Sequence, residues 1–358
     1  MRGKVAAALQ PRARLAQFGQ PFLQPFQEQT ILTLSHELSE LSATPFVSLM
    51  AGPTPVDEMP RLRAAIGGGP RLLVKRDDAI PFAFGGNKVR KLEYVAAEAV
   101  AAGADILITV GGVQSNHARV TAAVAARLGV RCLLITNGSP PARPTANALI
   151  NGLLGAEIEY IPSRDERAGA VVAAVERLQQ EGRRPYFIPL GASTPLGALG
   201  FARAVGELVA QLNEPPDVIV HAGSSGGTQA GLVAGTILHG LPTRVIGISG
   251  DDPASAIASK VGQVVMGVGQ LLGSPGDAFA SASPIEVDAG FVGDGYGIPT
   301  DQSREAQQLA ARTEALFVDH TYSAKALAAL IAYVRAGRFG DDETVLFWHT
   351  GGQVGLFA

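Results

Sequence analysis

The sequence predicts an α/β protein of two domains, each a mostly parallel sheet flanked by helices. Three observations predict it. From about Leu72 onward, short apolar runs alternate with amphipathic stretches, the pattern of parallel strands covered by helices on both faces. Several apolar runs end in Gly-, Ser- or Asn-bearing turns that open the next helix. The 358 residues accommodate two cores at roughly 150 residues per domain.

Taken in order, Leu72-Leu73-Val74-Lys75-Arg76 reads as a strand. Between Asn87 and Ala102, Leu92, Val95, Ala96, Ala99 and Val100 recur at the i, i+3, i+4, i+7, i+8 spacing of one helical face. Ile106-Leu107-Ile108-Thr109-Val110 is a buried strand ending in Gly111-Gly112, followed by a helix through Val120, Ala123, Val124 and Leu128. Cys132-Leu133-Leu134-Ile135 is the next strand. The unit returns at Val218-Ile219-Val220, a Gly/Ser loop, a helix from about Thr228 and the strand Val245-Ile246-Gly247-Ile248. The expected division is an N-terminal extension over 1–45, a larger domain formed by 46–92 with 200–358, and a smaller α/β domain inserted over 93–199.

Composition narrows the function. Hydrophobic residues make up 47% and charged residues 17%, the balance of a globular protein. A net charge of −3 gives no electrostatic reason to expect nucleic acid or an acidic membrane surface. Cys132 is the only cysteine, so no intrachain disulfide can form and a reducing, cytoplasmic setting is expected. No apolar run reaches the roughly 20 residues of a membrane span. Residues 1–27 carry Arg2, Lys4, Arg12 and Arg14 and no acid. This stretch is poor in serine and has no clear cleavage signal. It reads as a poorly ordered extension, with organelle targeting left as an alternative.

Ligand sites in such sheets lie where strands end, in the turns leading to helices. In Ala83-Phe84-Gly85-Gly86-Asn87-Lys88-Val89-Arg90-Lys91-Leu92-Glu93, Lys88 stands behind a Gly-Gly turn at the mouth of a helix. A helix N-terminus disfavours cations, and an amine held near other cations loses its proton more easily, as a Schiff base requires. The plain alternative is a basic first turn shared with Arg90 and Lys91, and this segment taken alone favours it.

Other loops reverse that preference. Gly111-Gly112-Val113-Gln114-Ser115-Asn116-His117 presents a hydroxyl and an amide beside free backbone N–H groups, as a ligand site or an ordinary N-cap would. In His221-Ala222-Gly223-Ser224-Ser225-Gly226-Gly227-Thr228-Gln229-Ala230-Gly231, glycines and hydroxyls precede a helix and suit an anion. The spacing is neither a P-loop nor a dinucleotide fingerprint, so a phosphate smaller than a nucleotide triphosphate is expected, with a structural Gly-rich turn as the alternative. Val345-Leu346-Phe347-Trp348-His349-Thr350-Gly351-Gly352 delivers Thr350 from a buried strand beside two glycines that admit a flat ligand. Tyr296 and Tyr322, two of six tyrosines, stand in Gly- or Ser-flanked loops. An amine, a phosphate cradle and a flat-ring site together are the requirements of pyridoxal 5′-phosphate.

From about Gly52 to the C-terminus the chain resembles the D-cysteine desulfhydrase and 1-aminocyclopropane-1-carboxylate deaminase family of fold-type II pyridoxal-phosphate enzymes. The resemblance rests on Ala51-Gly52-Pro53-Thr54-Pro55-Val56, Lys75-Arg76-Asp77-Asp78, Gly85 to Glu93, Gln114-Ser115-Asn116, Leu199-Gly200-Phe201, Gly226 to Gly231 and His349-Thr350-Gly351-Gly352. It implies a tryptophan synthase β-like architecture whose larger domain binds the cofactor. It also implies that Lys88 is the Schiff-base lysine and the base at the substrate α-carbon. Asn116 would bond the ring O3′ and Ser115 the substrate carboxylate. Gly223, Ser224, Ser225, Gly226, Gly227 and Thr228 would hold the phosphate. Tyr296 and Tyr322 would line the substrate side and assist proton transfer, and Thr350 would face the pyridine nitrogen.

The deaminase branch carries Glu where this chain has Ser323, Gln in place of His117 and an aliphatic residue in place of Thr350, so the resemblance leans to the desulfhydrase branch. A hydroxyl leaves the ring more nearly neutral than a carboxylate does, which suffices when a thiolate leaves directly from Cβ. His320-Thr321 and Ser323-Ala324 depart from the usual Pro-Val and Thr-Gly around the tyrosine, so the resemblance leaves the Cβ substituent open. The implied reaction is β-elimination, first from D-cysteine, to pyruvate, hydrogen sulfide and ammonia. Alternatives are cyclopropane ring opening, elimination from cysteate, D-serine or chloroalanine, racemisation, and cofactor binding without turnover. The expected partner is a small amino acid, with no metal, and a homodimer is implied.

Overall fold

Two separate sheets organise the chain. The structure, a computed structural model, describes residues 24–358, with side chains from residue 34. Its strands are β1 (Val56–Glu58), β2 (Arg71–Arg76), β3 (Ile106–Gly112), β4 (Arg131–Asn137), β5 (Glu157–Ile161), β6 (Pro185–Ile188), β7 (Val218–Gly223), β8 (Arg244–Ser249), β9 (Glu286–Asp288) and β10 (Thr344–His349). A six-stranded sheet has the order β1-β2-β10-β7-β8-β9, and a four-stranded sheet the order β5-β4-β3-β6. Among the described residues only the β1–β2 pair is antiparallel.

The last strand occupies the middle of the larger sheet. Leu346 stands opposite Leu73 on one side and Ile219 on the other. The central strands are buried along almost their whole length, as parallel strands covered on both faces must be. The sequence pattern identified these strands, but not the edge strands β1, β5, β6 and β9.

Helix Asn87–Ala101 places Val89, Leu92, Val95, Ala96 and Ala99 in one apolar cluster with Leu107 and Leu134 of the smaller sheet and Val120 of helix Asn116–Leu128. Its opposite side meets helix Pro195–Gln211, whose Gly200 lies so close to the Arg90 carbonyl that a Cβ would stand 2.2 Å from it. A buried polar network fastens the same helix to the larger sheet. Arg90 Nη2 meets Asp77 Oδ1 at 2.7 Å and its Nη1 meets Glu207 at 2.9 Å. Lys75 Nζ reaches Glu207 Oε1 at 2.5 Å, and Trp348 Nε1 donates to Asp77 at 2.8 Å.

The N-terminal extension expected over 1–45 is described only in its second half. Residues 1–23 lie outside the described residues, but Gln24–Ala43 is a helix. Leu41 enters the core and Leu38 packs beside it, while the Glu37 carboxylate accepts the Ser274 hydroxyl. Two leucines three apart give this helix an apolar side, which is enough to dock it. Among the described residues no helix is long and apolar enough to cross a membrane.

Candidate active site

Strands of both sheets end at one cavity of about 720 Å³. Gly112 and Asn137 reach it from the smaller sheet, and Gly223 and Thr350 from the larger. Lys88, Ser115, Asn116, Gly223, Ser224, Ser225, Gly226, Thr228, Tyr296, Tyr322 and Thr350 all line it. Gly227 is the exception: it backs onto Ser193, to whose Oγ its N–H donates at 3.3 Å. A Cβ on Gly227 would stand 2.7 Å from that oxygen.

The turn before Lys88 is stitched to both neighbouring loops. The Asn87 N–H donates to the Thr350 carbonyl at 3.0 Å, and Asn87 Nδ2 donates to Thr228 Oγ1 at 2.9 Å. Backbone meets backbone here, since a Cβ on Gly351 would lie 2.6 Å from Gly86 Cα. Both glycines have positive φ, 99° at Gly86 and 83° at Gly351, a region that side chains strain. Lys88 Nζ donates to Asn87 Oδ1 at 3.2 Å. The amine opens into the cavity yet is enclosed by protein on its other sides. Desolvation, reinforced by the Arg119 charge, lowers its pKa to about 8.

Arg119 was not read from the sequence. Its Nη1 donates to Asn116 Oδ1 and Asn147 Oδ1, each at 2.7 Å, and its Nη2 to the Gly85 carbonyl at 3.0 Å. Asn147 Nδ2 adds a third bond to Asn116 Oδ1 at 3.0 Å. With its oxygen occupied, Asn116 has its amide N–H groups left to offer to the cavity. Ser115 caps helix Asn116–Leu128 by accepting the Ala118 N–H at 3.1 Å. Its hydroxyl proton stays available, so capping and ligand binding coexist.

His117 is a further residue of the wall. Thr109 Oγ1 donates to the Ile188 carbonyl and lies 2.8 Å from His117 Nε2, so Nε2 carries the proton. His117 Nδ1 is then a bare acceptor, buried without a partner. Desolvation and the charges of Lys88 and Lys91 hold its pKa well below the usual histidine range.

The Gly/Ser loop leads into helix Gly227–Leu238, whose cap residue Gly226 supplies no side-chain acceptor. Beyond Gly227, whose N–H donates to Ser193 Oγ, the first-turn N–H groups are left for an anion. Ser193 supports the loop from behind, donating to Ser225 Oγ at 2.7 Å and accepting Lys91 Nζ at 3.3 Å.

Tyr296 and Tyr322 join their hydroxyls at 2.5 Å, with rings edge to face at 5.7 Å. Burial raises both pKa values, so both carry their protons at neutral pH. Ser323 does not line the cavity. It is buried and donates to Asp319 Oδ1 at 2.6 Å, while the other Asp319 oxygen accepts the Tyr322 N–H at 3.0 Å. Asp319 thus fixes the backbone that carries Tyr322.

These groups fit pyridoxal 5′-phosphate: a poised amine, an uncapped helix start fronted by glycines and hydroxyls, an outward amide and a recess walled by glycine backbone. A family model for pyridoxal-phosphate dependent enzymes matches residues 47–351. The chain is 37% identical over 331 residues to a D-cysteine desulfhydrase of Salmonella typhi, covering 90% of this chain and 98% of that protein. A crystal structure described as an ACC deaminase homologue superposes with a TM-score of 0.82 at 33% identity, covering 90% of this chain and 96% of the other. The processed form of threonine deaminase isoform 2 from Solanum lycopersicum shares the fold, with a TM-score of 0.62 at 16% identity over 91% of this chain and 85% of its own. The chain belongs to the pyridoxal-phosphate dependent enzymes of fold-type II, and its cofactor is pyridoxal 5′-phosphate.

Proposed function

We propose that this enzyme is a lyase that converts D-cysteine and water to pyruvate, hydrogen sulfide and ammonia. The observation that carries the reading is Thr350, held by its carbonyl 3.0 Å from the amide next to Lys88. A hydroxyl residue therefore stands beside the lysine turn. Similarity to the Salmonella typhi desulfhydrase supports the same choice of substrate.

When bound, pyridoxal 5′-phosphate supplies a covalent hold on the amino group and an electron sink. The chain supplies the rest. The Gly/Ser loop and the start of helix Gly227–Leu238 hold the phosphate. Asn116 would donate to the ring oxygen from an amide that Arg119 orients, and Thr350 would face the ring nitrogen. Ser115 donates to the substrate carboxylate. Lys88, which needs little work to lose its proton, takes the hydrogen from the α-carbon. Tyr296 and Tyr322 face the substrate with hydroxyls that pass a proton between them. Replacing Lys88 by Ala should abolish both the cofactor's lysine-bound absorbance and pyruvate release; persistent turnover would overturn the assignment.

The likeness to an ACC deaminase homologue favours one second reading, ring opening of 1-aminocyclopropane-1-carboxylate. Assaying 2-oxobutanoate from that compound against pyruvate from D-cysteine separates the two.

The finer organisation is part of the same proposal. The two sheets support a larger unit of 46–92 with 200–358 and an inserted unit of 93–199, although helix Asn87–Ala101 packs with the inserted sheet from Val89 onward. A homodimer is supported by exposed Leu149 and Leu153 on a helix that packs against the terminal turn bearing exposed Leu356 and Phe357. Apolar surface of this kind marks interaction sites. A cytoplasmic setting is supported by the lone, buried Cys132.

A further inference from the structure

The cavity wall holds more positive charge than its acids neutralise. Arg164 pairs with Asp251 at 3.3 Å, and Lys260 pairs with Asp252 at 2.7 Å. Arg167, which lines the same cavity, has no carboxylate within 4.0 Å among the described residues. Its Nε and Nη2 both donate to Asn137 Oδ1, the former at 3.1 Å. A guanidinium carries five N–H groups, so three remain for a ligand. Arg167 is half-buried and opens helix Arg167–Gln180, where the helix dipole opposes a cation. Desolvation and the Arg164 charge both work against its ionised form. The groups that act on it from across the cavity are Tyr296, Tyr322 and Asp251. A partly desolvated cation so placed is stabilised by an anion delivered to the cavity.

That anion is neither the cofactor phosphate nor the substrate carboxylate. The phosphate has the Gly/Ser loop, and the carboxylate has the Ser115 turn. The substituent at Cβ is left, on the side of the tyrosine pair. We infer that Arg167 reads a negative charge carried by the β substituent before it leaves, so that the site extends from the β-thiol to amino acids with a β-sulfonate. This rests on the lyase reading above. The Cβ–S bond breaks with its electron pair passing to sulfur, and the α-proton passes to Lys88. A thiol then departs as hydrosulfide and a sulfonate as sulfite, and water releases the remaining carbons as pyruvate and ammonia. Charge accumulates on the departing sulfur, where a fixed cation is most effective.

The test uses the purified holoenzyme with D-cysteine, D-cysteate and β-chloro-D-alanine, reading pyruvate from each and sulfite from cysteate. The wild type should release sulfite from cysteate. Arg167→Gln should lower kcat/KM for cysteate about ten- to a hundredfold more than for chloroalanine, whose substituent is neutral, as loss of a charge-assisted bond predicts. Arg167→Lys should recover part of that ratio. The cofactor absorbance of each variant reports loading and folding. No sulfite from the wild type, or an equal fall for cysteate and chloroalanine, overturns the inference. Absence of pyruvate from all three substrates in the wild type instead overturns the lyase reading itself.

Discussion

Arg119 decides which end of Asn116 faces the cavity. Its 2.7 Å bond to Asn116 Oδ1 turns the amide donors outward, and its charge is the second cause, after desolvation, of the lowered Lys88 pKa. One cation thus sets both the ring-binding donor and the reactivity of the amine that bonds the cofactor.

Replacing Arg119 by Gln should therefore change the pH dependence of cofactor uptake. Only the neutral amine attacks the aldehyde, so uptake by the cofactor-free wild type should rise with pH and level off above about 8. The variant keeps the desolvation but loses the repulsion, so its midpoint should move upward, towards the ordinary lysine value. Stopped-flow absorbance against pH measures this. An unchanged midpoint would show that Arg119 does not act on Lys88.

The tyrosine pair offers a cleaner separation of binding from chemistry. Tyr322 is anchored through its backbone to Asp319, and its hydroxyl meets that of Tyr296. Tyr322→Phe should leave the cofactor absorbance in place and lower kcat by about 10²- to 10⁴-fold, the usual range for a lost proton-transfer group. A comparable loss in cofactor affinity would instead place Tyr322 among the residues that hold the ring.

Contact between Gly86 and Gly351 makes the lysine turn and the Thr350 loop one rigid unit. Gly351→Ala places a Cβ 2.6 Å from Gly86 Cα at a φ of 83°, which backbone on both sides opposes. The expected cost is about 1–3 kcal/mol of stability, together with weaker cofactor binding as Thr350 is displaced from Lys88. Thermal denaturation with and without pyridoxal 5′-phosphate checks both, and a variant that binds the cofactor as tightly as the wild type would contradict the close packing.

How much of this was legible in the sequence follows from how each residue reaches the site. Lys88, Ser115, Asn116 and Thr350 sit in turns where a strand meets a helix, and that grammar is local. Arg119 sits inside helix Asn116–Leu128 and sequence shows only a basic residue among alanines and valines. Its burial depends on Asn147 and Gly85, which tertiary packing brings to it. Ser193 and Lys91 meet behind the phosphate loop only because helix Asn87–Ala101 crosses helix Pro195–Gln211. The missed strands β5 and β6 are the edges of the smaller sheet, where an exposed face interrupts the apolar run that betrays a central strand.

The network around Glu207 supplies a prediction about acid. Burial alone would raise the Glu207 pKa, but Arg90 and Lys75 overcome it and hold the carboxyl at about 2. The folded value lies below the unfolded one, so its contribution is present above the ordinary glutamate range, near 4.5, and is lost as pH falls towards about 2. That difference corresponds to about 3 kcal/mol. Glu207→Gln leaves Lys75 without its carboxylate and Arg90 with one of two. The variant should lose about 3–5 kcal/mol at neutral pH, as removal of one member of a buried pair does. Its stability should then depend less on pH between about 4.5 and 2 than the wild type's. Because Arg90 lies two residues beyond Lys88, the same variant should loosen the start of the lysine helix, and cofactor release on mild denaturation should precede global unfolding. Urea titrations at several pH values, followed by cofactor absorbance and by far-ultraviolet circular dichroism, measure both effects. Coincident transitions at every pH would show that the network stabilises the fold without positioning Lys88.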